Sequence, residues 1–147
     1  MTGGEGPSNR KSIEIIDENG ASLGPELQLD FSNHCATKFN ETHAILTGGE
    51  INKRGTSIIN LENSNTRRIS LNVERNAHAC SRLSHPNGTN YIIVAGGILQ
   101  YPSKDDSTEI LDVNNIDRGW YQGKIKIRMR IWNCLNNVHI LSNYLCL

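Results

Sequence analysis

Apolar, β-branched runs alternate along this chain with polar, turn-forming stretches at a regular spacing. "AILTGG" (Ala44 to Gly49) and "IIVAGG" (Ile92 to Gly97) are each an apolar run closed by two glycines. With their leading residues, "ATKFNETHAILTGG" and "SRLSHPNGTNYIIVAGG", each reads as a short segment, a turn containing Asn, and an apolar strand, which is a hairpin followed by a sharp exit. After each doublet come a polar loop and a second β-prone run: "SIEIID" (Ser12 to Asp17), "SIINLE" (Ser57 to Glu62) and "TEILDV" (Thr108 to Val113). A weaker fourth segment follows, clearest in "TRRISLNV" (Thr66 to Val73). The pattern predicts four short strands per unit. Residues 1–120 carry no capped apolar stripe of helical period, so the predicted class is all-β.

The units repeat. Gly3-Gly4 and Gly48-Gly49 lie 45 residues apart, each doublet preceded by Thr and followed by Glu, and Cys35 and Cys80 keep the same offset. Gly96-Gly97 arrives 48 residues after the second doublet. The excess falls in the turn cluster "SHPNGTN" (Ser84 to Asn90), and length change confined to a turn is a mark of structural repeats. Paired glycines at a strand end suit positive φ and close approach of neighbouring backbone, so Gly3, Gly4, Gly48, Gly49, Gly96 and Gly97 are read as structural positions.

These residues resemble the kelch repeats: apolar run plus glycine doublet, then a strand closing on an acidic residue (Asp17, Glu62, Asp112), then Trp120, with "RNAHAC" (Arg75 to Cys80) ahead of a hairpin. The resemblance covers about residues 1–123. It implies a β-propeller in which each repeat supplies one four-stranded blade around an axis, with loops on both faces serving recognition. The expected architecture is a partial kelch-type β-propeller of about two and a half four-stranded blades, not closed. Residues 1–31 form the back half of one blade, 32–73 the second and 74–123 the third. Residues 124–147 lose the pattern and are read either as an eroded further blade or, preferably, as a non-native tail. On this reading the chain is a fragment or truncated isoform of a longer propeller protein, with open edges free to self-associate where the missing blades would sit.

Fifteen basic and fifteen acidic side chains cancel, so no global field draws the molecule to nucleic acid or to an anionic membrane. No apolar run has the length of a membrane span, and "MTGGEGPSNRKS" lacks the apolar centre of a secretory signal. Cytoplasmic is the default expectation, extracellular if a longer parent chain is secreted. The basic-apolar alternation of residues 124–131 is better explained by an edge strand than by lipid contact.

Candidate chemistry is sparse. His34 and Cys35, with His78 and Cys80, fall at near-equivalent places and could be imagined to ligate zinc. Yet the histidines are out of step by one when the cysteines are aligned, and one residue of slip reverses a strand's face. A Cys35–Cys80 disulfide is not expected, because equivalent positions on neighbouring blades lie too far apart, and free thiols are the default for all four cysteines. Asn40-Glu41-Thr42 and Asn87-Gly88-Thr89 match the N-glycosylation pattern, but Asn is also wanted at turns, and the match gains weight only in a secreted chain. "KDDSTE" (Lys104 to Glu109) is read as a lengthened loop, with Lys104, Asp105 and Asp106 as a partner-contact segment. No phosphate-binding loop with its lysine, no H-E-x-x-H and no G-x-S-x-G occurs, so nothing nominates a nucleophile or a cofactor.

The expected function is therefore a non-enzymatic protein–protein interaction module. Its face loops, "EINKRGT" (Glu50 to Thr56) and "ILQYPSKDD" (Ile98 to Asp106), would contact another protein. The alternative is part of a propeller enzyme or carbohydrate-binding protein whose axial site needs further blades.

Overall fold

The computed structural model describes residues 13–18, 20–24, 26–27, 32–100, 103–104 and 106–126. Gly3, Gly4, Asp105, Cys134, Cys146 and the tail beyond residue 126 lie outside that set. Among the described residues the fold is all-β, with a single 3-10 turn at Ile116–Arg118 and no α-helix.

Among these residues twelve strands follow one another: β1 (Glu14–Asp17), β2 (Gly20–Leu23), β3 (Cys35–Lys38), β4 (His43–Thr47), β5 (Gly55–Asn60), β6 (Thr66–Ser70), β7 (Ala79–Ser84), β8 (Asn90–Ala95), β9 (Ile98–Gln100), β10 (Ser103–Lys104), β11 (Thr108–Asp112) and β12 (Tyr121–Gln122). β3-β4-β5-β6 form one antiparallel four-stranded sheet and β7-β8-β11-β12 a second, and the two do not close on themselves. β1 and β2 make a separate hairpin, and β9 and β10 a small one inserted between β8 and β11. Each large sheet is a meander, which short turns allow only between antiparallel neighbours.

Alternation of side chains decides what each face buries. Ile45 pairs with Ile58, and Ile92 with Leu111, so each pair shares a face. Those four join Phe39, Leu71, Val94 and Trp120 in one buried cluster between the two sheets. The neighbouring positions Leu46 and Ile59 turn the other way and pack with Ile13 and Leu27 beside the first hairpin. Both faces of the first sheet are thus apolar and covered. This is why its central strands carry adjacent apolar residues, Ile45-Leu46 and Ile58-Ile59, rather than strictly alternating ones. Burying each such side chain contributes roughly 1.5–3 kcal/mol relative to exposure, so the inter-sheet layer is the main source of cohesion.

Candidate recognition surface

Strand ends and the links between them organise one end of the molecule. β4 and β8 both finish in glycines held at positive φ: Gly48 at +60°, Gly49 at +118°, Gly96 at +66° and Gly97 at +110°. The connecting segments cross directly over them. A Cβ on Gly49 would sit 2.6 Å from the Ser32 carbonyl oxygen, and one on Gly97 2.8 Å from that of Asn76. At Gly48 it would overlap the Arg75 carbonyl oxygen and lie 2.6 Å from His78 Cε1. The approach is used for bonding: Glu50 N–H donates to Ser32 O, Ile98 N–H to Asn76 O and Gly49 N–H to Arg75 O, each at 2.9 Å.

Beneath these crossings the apolar layer between the sheets gives way to a polar one. Arg75 is fully buried, and its Nε lies 3.2 Å from Oε1 of Glu109, itself 1% exposed. The guanidinium also donates to Gly96 O at 2.8 Å and to Ser107 Oγ at 2.7 Å. Glu109 accepts from the backbone N–H groups of Asn72 at 2.7 Å and Val73 at 3.1 Å. Two buried charges are costly unless paired and multiply hydrogen-bonded, and here both conditions hold. The pair joins the 72–75 link to β11. Thr108 and Glu109, which fall both in the β-prone run 108–113 and in the 104–109 loop of the sequence reading, belong to the strand: they lie in β11, on the ladder with β8, and Glu109 points inward on the Val94 side.

Equivalence between the sheets follows from their pairing. Gly48 N–H donates to Gly55 O and Gly96 N–H to Ser107 O, so Thr47 corresponds to Ala95. Cys35 pairs with Thr47, whereas Ala79 pairs with Ala95 and Cys80 with Val94. The histidines are thus the equivalent residues, and the cysteines are one position out of step, the reverse of the alignment by cysteine spacing. That slip reverses the face. Cys35 turns toward the second sheet and Cys80 toward the first. Their Cα atoms are 5.8 Å apart and their sulfurs form a disulfide across a separation of 45 residues. The expectation of free thiols at Cys35 and Cys80 is corrected: it treated as equivalent two positions that face each other.

His78 is buried, with Nε2 2.8 Å from Thr47 Oγ1, which lies 3.5 Å from the Cys35 carbonyl it can donate to. Nε2–H then donates to the hydroxyl, and Nδ1, buried without a hydrogen-bond partner, is the bare nitrogen. Burial, then the Arg75 charge, then His34 push the His78 pKa down to about 3, and burial lowers that of His34 as well. Both rings are held neutral. No cluster of three or more His, Cys, Asp or Glu side chains suited to a metal occurs among the described residues.

Above this frame lie two connecting segments. The 50–54 connection presents Ile51, 50% exposed, beside Lys53 and Arg54, with Arg54 Nε 4.0 Å from Glu74 Oε1. The 98–106 segment carries the β9–β10 hairpin, in which Ser103 pairs with Gln100 and Lys104 with Ile98. Asp106 lies 3.7 Å from Lys126 Nζ. Both loops singled out in the sequence therefore rise from the same ends of their sheets, the ends bearing the glycines. At the opposite ends, a groove of about 370 Å³ runs between the sheets, lined by Phe39, Asn40, His43, Ile58, Arg67 and Ile116. An Arg67–Asp117 ion pair spans from one sheet to the 3-10 turn of the other.

No protein-family model matches the chain, and no curated protein is detectably similar to it.

Proposed function

We propose that the chain is a non-enzymatic protein-binding module built of kelch-type repeats, its two sheets being neighbouring blades of a propeller whose ring other blades complete. Two meanders of the same strand order, each with a glycine doublet crossed by the preceding link, support the repeat reading. The observation that carries the binding reading is the placement of Ile51, Lys53, Arg54 and the β9–β10 hairpin at one end of a cross-braced scaffold. An exposed apolar side chain on the same connection as Lys53 and Arg54 is suited to a protein surface, where an apolar anchor supplies affinity and rim charges supply orientation. Recognition loops gain from a rigid base, because less entropy is lost on binding.

The test is affinity capture with the immobilised chain, followed by identification of the bound protein and titration of variants against it. Ile51→Asp with Arg54→Glu should weaken that binding at least tenfold, while Glu62→Lys at the opposite ends leaves it unchanged and both variants keep the parent melting temperature. Equal binding by all three proteins would overturn the assignment of the surface.

A further inference from the structure

We propose that Asn87 is an N-glycosylation site, and that this chain folds in an oxidising compartment. Two observations meet here. The Cys35–Cys80 disulfide joins β3 to β7, and such bonds persist where the surroundings are oxidising, which is also where Asn-x-Ser/Thr acceptors are modified. Of the two acceptor sequences, one sits in a setting that admits a bulky sugar.

Asn87 occupies the tip of the β7–β8 hairpin, in a turn closed by Gly88 N–H donating to His85 O at 2.9 Å. Asn87 and Gly88 are exposed, and a Cβ placed on Gly88 would meet nothing within 4 Å. Asn87 Oδ1 accepts from Thr89 N–H at 2.9 Å, which fixes the carboxamide and leaves Nδ2 with no protein partner. Asn40 differs. It is half-buried in the wall of the inter-sheet groove, and its Oδ1 accepts from the backbone N–H groups of Thr42 at 3.0 Å and His43 at 2.8 Å. The Thr42 hydroxyl is itself engaged, 2.9 Å from His43 Nδ1. A sugar on Asn40 would have to displace the groove wall, whereas one on Asn87 projects from an exposed turn.

In the reaction, Asn87 Nδ2 bonds to the anomeric carbon of an oligosaccharide carried on a lipid pyrophosphate. The bond from that carbon to the pyrophosphate oxygen breaks, the lipid pyrophosphate leaves with the electron pair, and one Nδ2 proton is released.

The experiment is secretion of the full chain behind a cleavable leader in eukaryotic cells, with gel mobility before and after an amide-cleaving glycosidase, and mass spectrometry of the peptide spanning residue 87. The expected result is one glycan lost in Asn87→Gln and in Thr89→Ala, restored in Thr89→Ser, with residue 87 converted to aspartate by the glycosidase. Non-reducing peptide mapping should find Cys35 joined to Cys80 in the same preparation. Unchanged mobility on Asn87→Gln, whether because no glycan is present or because it sits elsewhere, would overturn the site. Free, alkylatable Cys35 and Cys80 would overturn the compartment.

Discussion

At the scale of single residues, the decisive feature is how little room the crossings leave. Gly48→Ala introduces a Cβ against the Arg75 carbonyl and the His78 ring at a positive φ. Strain and overlap together should cost about 2–4 kcal/mol of unfolding free energy, measured by urea titration. Gly88→Ala, with a positive φ but open surroundings, should cost no more than about 1–2 kcal/mol. Glu109→Ala leaves the Arg75 guanidinium buried beside two freed backbone donors, and should cost about 3–5 kcal/mol by the same measurement.

His78 makes a further prediction, with a definite sign. Its folded-state pKa of about 3 lies below the ordinary value of 6.5, so the unfolded chain takes up a proton at a pH where the folded chain does not. Stability from this group is complete above pH 6.5 and falls as pH drops from 6.5 toward 3, by up to about 1.4 kcal/mol per pH unit. His34 adds a contribution of the same sign. Urea midpoints at a series of pH values should show a shallower decline for His78→Gln, which retains a donor near Nε2 but does not titrate.

At the scale of elements, the link between β3 and β7 can be weighed directly. Cys35→Ser, Cys80→Ser and the double variant should each lose about 2–4 kcal/mol, and reduction of the parent protein should give the same loss. Equal losses from one and both substitutions are what a single covalent link requires. Much of this level was legible in the sequence. The runs Ser12–Asp17, Ser57–Glu62, Thr66–Val73 and Thr108–Val113 overlap β1, β5, β6 and β11, because turn residues and β-branched runs act locally. What local pattern does not encode is the phase between one strand and the next. Matching Cys35 to Cys80 gives a tidy spacing, yet the ladders match Cys35 to Ala79. The run Thr108–Val113 places Glu109 in a strand but not in the interior. A glutamate beside a polar loop reads as solvated, and only the Asn72–Arg75 link, folded over it from far along the chain, makes it an interior anion.

For the molecule as a whole, the shared apolar layer implies that the two sheets unfold together. Ile92→Ala, in the second sheet, should cost about 2–5 kcal/mol and lower the protection of β4 and β5 amides as much as that of β8 and β11 in hydrogen exchange. Protection lost only in the second sheet would show that the layer does not couple them. Each sheet also has edge strands, so concentration-dependent association is expected where no further strand covers them, read by sedimentation velocity.

The one-position step between the cysteines has a wider consequence. Had the second thiol stood at residue 79, which matches Cys35 on the ladders, both would look the same way out of their sheets and neither could reach the other. Because it stands at residue 80, one sulfur looks forward and the other back, so the offset itself is what lets the two sheets be clasped.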